Sequence, residues 1–148
     1  MATKSLNVVT LSAPSGNISK AINETFIMSQ SYTLTGSGGA PTVNLTWQSD
    51  GVDIPTAGTT GLVADSGAQS KATAGTTYSR TITCKSVESY VIRAKAVDTT
   101  NSITKYSSNT PMVTISAEPQ LYYQDVSGNI AFTRQIRKMI MIKVQKKK

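Results

Sequence analysis

Apolar and polar residues alternate with a period of two through most of this chain, and that alternation restricts it to extended structure. In the stretch TVNLTWQSDGVDI, Val43, Leu45 and Trp47 share one parity while Asn44, Thr46 and Gln48 share the other. Successive side chains of a strand point to opposite faces, so such a run buries one face and wets the other. The same rule puts Phe26, Met28, Tyr32 and Leu34 on one face, with Gln30 as the exception. It also sets Tyr90, Ile92, Ala94 and Ala96 against Arg93 and Lys95. Before residue 117 no segment shows helical periodicity, and no internal repeat is present.

Turn residues punctuate the alternation. A first strand, Asn7–Leu11, stops at Ala13–Pro14–Ser15–Gly16, and GSGGAP is a loop. Ser49–Asp50–Gly51 turns the chain, and Val52–Ile54 returns it as a short strand. Residues 55–77 are small, polar and weakly patterned, which predicts a long loop with one short edge strand at Leu62 and Val63. Strands resume at Tyr78–Cys84 and Ser89–Asp98, then at Ile103–Tyr106 and Met112–Ser116. Ser and Thr together make up about a quarter of the chain, in keeping with pleated, half-buried surfaces and turns. Seven or eight short strands at this spacing predict an all-β antiparallel sandwich or small barrel.

Several functional classes are disfavoured by composition. The chain has no His and one Cys, so the commonest general base and metal ligand are missing and no intrachain disulfide can form. Cys84 lies in an alternating strand, which predicts a buried thiol rather than a nucleophile. Asp50, Asp53, Asp65 and Asp98 lie near turns and could ligate calcium, but they form no tight D-x-D-x-D cluster; solvated turn residues are the simpler expectation. Three glycosylation sequons, at Asn17, Asn23 and Asn44, read as chance in so Ser/Thr-rich a chain. Neither a phosphate-binding Gly loop nor a nucleophile–base set can be assembled, so the sequence predicts no enzyme and no cofactor. The most apolar segment, MIMIKV, is far short of the roughly 20 residues of a membrane-spanning helix. No N-terminal apolar stretch precedes a cleavage site, which predicts a soluble chain, or one exported without such a signal.

At this point the residues resemble an immunoglobulin-like domain. Trp47 sits where that family's third strand places its core tryptophan, and Leu34 and Ile92 fall where antibody domains carry their bridging cysteines. The resemblance implies apolar packing between the sheets there in place of a covalent bond. Tyr90, two residues before Ile92, matches the spacing of the family's tyrosine corner, whose hydroxyl ties back to nearby backbone. The run from VVTLSAPSGN through YVIRAKAVD to PMVTIS is similar to the Ig-like modules of bacteria and bacteriophages, with residues 55–77 departing from their pattern. A domain over residues 1–116 follows, with Leu34, Trp47, Tyr90 and Ile92 as its structural core and the extension 117–148 outside the resemblance. Trp47 as an exposed sugar-stacking ring is the competing reading, and its inward parity favours the core.

Residues 134–148, RQIRKMIMIKVQKKK, hold seven of the fifteen basic residues and no acidic one. Over 1–133 that leaves eight basic against eight acidic. LYYQDVSGNIAFTR reads as a hairpin around Ser127–Gly128–Asn129. In IRKMIMIKV, Ile136, Met139, Ile140 and Val144 fit a helical stripe, whereas Ile136, Ile140, Ile142 and Val144 fit a strand face. The Ile and Val content and the preceding hairpin favour the strand. An ordinary terminal strand, a basic amphipathic membrane binder and a docking strand all fit such a strip, and the docking strand is preferred. Its contact residues would be Tyr122, Tyr123, Phe132, Arg134, Ile136, Arg137, Lys138, Met139, Ile140, Met141, Ile142, Lys143 and Val144. The flanking charges would steer it to an acidic surface. Nucleic acid is disfavoured, because no aromatic follows Phe132 and no known binding module is present.

Together with the resemblance, these features imply a non-enzymatic structural protein of a tailed-phage virion. It would be made in the host cytoplasm and carried on the capsid or tail surface as an accessory or decoration subunit, docked to other virion subunits through its extension. Such proteins commonly form homo-oligomers. The alternative is a carbohydrate- or cell-surface-binding adhesion module, with weak contact to host-surface glycans.

Overall fold

A computed structural model describes residues 2–117 and, within the C-terminal segment, the backbone of two short strands at 122–124 and 130–132. The chain divides into two units, Met1–Ala117 and Glu118–Lys148.

The first unit folds as ten strands. They are β1 (Ser5–Ala13), β2 (Ile18–Ala21), β3 (Thr25–Thr35), β4 (Val43–Ser49), β5 (Val52–Asp53), β6 (Leu62–Ala64), β7 (Tyr78–Cys84), β8 (Ser89–Asp98), β9 (Ile103–Tyr106) and β10 (Met112–Ser116). One sheet runs β1-β3-β7-β6; the other runs β2-β10-β8-β4-β5, with β9 also on β8. The buried parity of each long strand faces the opposite sheet. Met28, Tyr32 and Ile82 come from one sheet and Leu45, Trp47, Ile92 and Val113 from the other, in a single core cluster. Two mostly antiparallel sheets packed over a shared core, with the chain passing from one sheet to the other between β1 and β2, make an immunoglobulin-like β-sandwich.

The expected alternation is realised in β8, whose buried positions are Tyr90, Ile92, Ala94, Ala96 and Asp98. Gln30, which broke the apolar parity of β3, is nevertheless wholly buried. Its Nε2 donates to the Thr46 carbonyl at 2.7 Å, so one amide joins the two sheets. The β4–β5 hairpin turns through Asp50 (φ 49°) and Gly51 (φ 81°). Positive φ at both central residues is the tight turn whose twist matches the flanking strands, and Asp-Gly suits it because Gly has no Cβ and the short polar Asp side chain tolerates the left-handed region.

Three features depart from expectation. The sandwich has ten strands rather than seven or eight, and the strand without a counterpart in the sequence reading is β2, whose four residues are too short to show a period. β2 also pairs parallel to β10, so the sheets are not purely antiparallel. The chain reaches β2 by changing sheets after Pro14, and Asn109 holds that crossing by donating Nδ2 to the carbonyls of Leu11 (3.1 Å) and Pro14 (3.0 Å). Finally, the long 55–77 segment does contain the single edge strand, β6, but it is not slack. It seals the edge of β4 through the reciprocal pair Leu45–Gln69 (2.8 and 2.9 Å) and through Ala72 N to Val43 O (2.8 Å). Its small side chains let backbone approach backbone, which hydrophobic patterning cannot reveal.

In the second unit, β11 (Tyr122–Gln124) pairs antiparallel with β12 (Ile130–Phe132), in register Tyr122↔Phe132 and Gln124↔Ile130. This antiparallel pair matches the two arms of the hairpin expected around Ser127–Gly128–Asn129, a turn that itself lies outside the described residues.

Candidate interaction face

On the six-stranded sheet, the parity opposite the core brings Val91, Arg93 and Lys95 of β8 outward. Cross-strand partners extend that row: Met112 lies opposite Val91, Gln48 opposite Arg93, and both Thr46 and Tyr106 opposite Lys95. Val91, Tyr106 and Met112 are 40–44% exposed. Arg93 sets its guanidinium 3.8 Å from the centroid of the Tyr106 ring and donates from Nε to Gln48 Oε1 at 2.8 Å. Sequence reasoning saw Arg93 and Lys95 only as an outward parity and missed Tyr106, because β9 has no clear alternation.

Beside this face, a cleft of about 250 Å³ lies where the chain leaves β5, lined by Thr46, Trp47, Ile54, Pro55 and Ser66 among others. Trp47 is 3% exposed, so its ring fills the core instead of offering a stacking platform. Arg80 caps it, with its guanidinium 4.2 Å from the ring centroid. Trp47 Nε1, Thr46 Oγ1 and Gln30 Oε1 have no hydrogen-bond partner, but each exposes less than 1 Å² and none is open to a ligand in the cleft.

The other residues singled out from sequence take structural positions. Ile92 is fully buried and Tyr90 is 8% exposed, while Leu34 is half-buried and packs on the margin of the core. The β3 residue that reaches the Trp47 segment is Gln30, four positions before Leu34. Tyr90 donates its hydroxyl to the Glu88 carboxylate at 2.9 Å, not to backbone, because the glutamate two residues upstream lies within reach. Burial, then the Glu88 hydrogen bond, raises its pKa. Cys84 is fully buried, and burial raises its thiol pKa as well. That is the opposite of what a nucleophile needs.

The turn aspartates act as hydrogen-bond acceptors, two of them for main-chain donors. Asp50 accepts from Val91 N (2.9 Å), Asp65 from Thr81 N (3.1 Å), and Asp53 from the Gln48 side chain (2.8 Å). Asp98 is not a solvated turn residue. It is 0% exposed and accepts from Leu6 N (3.1 Å), Asn101 N (2.9 Å) and Asn101 Nδ2 (2.8 Å). Among the described residues no cluster of three or more His, Cys, Asp or Glu could hold a metal ion. Tyr122 and Tyr123 fall in β11 and Phe132 in β12; Arg134, Ile136, Arg137, Lys138, Met139, Ile140, Met141, Ile142, Lys143 and Val144 lie outside the described residues.

No family model and no curated protein matches the sequence. Among solved structures, the CARDB domain of a Pyrococcus furiosus protein, crystallised in complex with di-metal ions, is similar at TM-score 0.50 and 16% identity. The match covers 78% of this chain and 96% of that one, and it shows a shared fold. Domains 4 and 5 of the S-layer protein SbsC match at TM-score 0.47 and 16% identity, over 79% of this chain and 55% of that one. A chimeric titin Z1Z2 matches at TM-score 0.46 and 16% identity, over 77% and 99%.

Proposed function

We propose that this protein is a non-enzymatic structural subunit that displays an Ig-like sandwich and docks through its C-terminal extension to an acidic surface on a partner. The observation that carries this reading is the separation of a sandwich unit, Met1–Ala117, from a second unit, Glu118–Lys148, that ends in seven basic and no acidic residues over 134–148. The sandwich unit holds eight basic and six acidic residues, so the net charge of +7 is concentrated at one end. A cationic, apolar strip of that kind gains from an acidic surface both faster encounter and a place to bury its Ile and Met side chains. The setting that fits the module-level sequence resemblance is the surface of a tailed-phage virion, on capsid or tail, alongside other virion subunits.

The test is co-sedimentation with particles assembled in the infected host. The full chain should travel with the particles, and a chain ending at Ser116 should be lost from them while keeping a dispersed amide NMR spectrum. Particle binding by the shortened chain, or by neither, would remove the proposal. The adhesion reading has one observation in its favour, the exposed ring of Tyr106, although Arg93 covers one face of it. It predicts saturable glycan binding that survives tail removal and disappears in Tyr106→Ala.

A further inference from the structure

Among the described residues Arg93 is the one guanidinium on the outer face of the six-stranded sheet, and it is held in place before any partner arrives. Its Nε donates to Gln48 Oε1, and the Gln48 amide in turn donates to Asp53 Oδ1, both at 2.8 Å. Gln48 is 3% exposed, so water does not compete readily for that relay. The Tyr106 ring, 3.8 Å away, fixes the plane of the guanidinium from one side. A free arginine side chain loses about 2 kcal/mol of rotamer freedom when it is immobilised. Here much of that loss is already taken in folding.

Among the described residues Nε makes the only hydrogen bond of this guanidinium, so its two terminal nitrogens keep their N–H donors. Paired terminal donors on a fixed plane match the two oxygens of a carboxylate. The nearby acids are engaged elsewhere: Asp50 accepts from Val91 N and Asp53 from Gln48. Next to the guanidinium, Val91 and Met112 face each other across β8 and β10 at 40% and 42% exposure, leaving an apolar patch that water covers poorly. Arg, Tyr and Met around such a patch are the residue types enriched at the centre of protein interfaces. The opposite face of the sandwich differs: the outward rows of β3 and β7 hold only Ser, Thr and Ile27.

We propose that this face docks an acidic protein surface, with one partner carboxylate held in a two-point contact by Arg93 and one apolar partner side chain lying on Val91 and Met112. Charge selects this occupant. A second copy meeting face to face would set Arg93 and Lys95 against their own like charges, and the basic 134–148 strip would be repelled in the same way. The apolar pair beside the guanidinium favours a protein over a polyphosphate. The inference goes beyond the extension-docking reading and stands or falls separately from it.

The experiment is an NMR titration of the ¹⁵N-labelled full chain with a synthetic peptide alternating glutamate and leucine, and in parallel with inorganic phosphate at matched ionic strength. The peptide should shift the Arg93 Nε–Hε signal and the amides of Val91, Tyr106 and Met112 saturably. In Arg93→Gln the affinity read at the Val91, Tyr106 and Met112 amides should fall about tenfold with amide dispersion retained, and Arg93→Lys should not restore it, because an ammonium lacks the planar fork. Shifts confined to residues 134–148, or none, would overturn the proposal. So would equal shifts with phosphate, which would mark a general anion site, or full binding by Arg93→Lys, which would reduce the face to its net charge.

Discussion

Replacing Asp98 with asparagine should remove about 3 kcal/mol of stability at pH 7. The side chain closes β8 and is fully buried, where it accepts from Leu6 N and Asn101 Nδ2 at Oδ2 and from Asn101 N at Oδ1. Those bonds join the first strand of one sheet to the β8–β9 turn of the other. An asparagine keeps one acceptor oxygen and turns the other into a donor, so whichever way the amide faces, its NH₂ meets an N–H. One charge-assisted bond is lost, at roughly 1.5–3 kcal/mol, and one buried N–H is left unpaired, at roughly 1–3 kcal/mol. Against a typical domain stability of roughly 5–15 kcal/mol, that change is easily read. Urea unfolding followed by Trp47 emission is the assay, since Trp47 is the only tryptophan and is buried. The midpoint should fall with the slope unchanged.

The pH dependence supplies the sharper check. Burial by itself would raise the Asp98 pKa, but the donors on Asn101, Leu6 and Thr100 outweigh it and hold the carboxyl below its ordinary value. A folded pKa below the unfolded one contributes stability that is complete above about pH 4 and is lost as pH falls through the folded value. The gap between parent and Asp98→Asn should therefore close on acidification below that point. A gap under about 0.5 kcal/mol at pH 7, which is the scatter of ordinary surface substitutions, would refute the reasoning. So would one that stays constant down to pH 2.

Arg80→Met should cost about 2–4 kcal/mol, because the buried guanidinium donates to Gly67 O and Ser79 O at 2.8 Å each and stacks on Trp47. Amide exchange at Leu45 and Gln69 should quicken more than at Ile92; equal loss across all three would show that Arg80 does not anchor the 65–72 segment. Cys84, fully buried with its pKa raised by burial, should react with a thiol reagent at least about a thousandfold more slowly in the native chain than in urea. Rapid native labelling would mean that the edge strand β6 opens away from β7.

Legibility followed the physical signal each element carries. The long strands β3, β4 and β8 could be read because their alternation runs for seven residues or more, and the β4–β5 turn because Asp-Gly suits positive φ at both positions. β2 could not be read: four residues, ISKA, show no period, and a parallel partner 95 positions away leaves no local trace. Gln30 looked like an error in the pattern and proved to be an inter-sheet tie, since an amide can be buried wherever a carbonyl on the other sheet accepts its N–H. The candidate face was half legible. Parity gave Arg93 and Lys95 outward, but nothing in the sequence links Arg93 to Gln48, 45 residues earlier, or to Tyr106 on the next strand.

By itself, the sequence determined that this chain is all-β, that Trp47 and Ile92 point inward, that Cys84 is buried, and that positive charge gathers at the C-terminal end. All of these depend on residue type and on spacing along one strand. Tertiary structure alone decided that Asp98 is buried rather than solvated, that the 65–72 segment closes the edge of β4, and that Arg93 stands fixed on an open face. Each of those depends on which donor, acceptor or ring the fold brings from a distant strand to within about 3–4 Å, the range over which hydrogen bonds and ring contacts act.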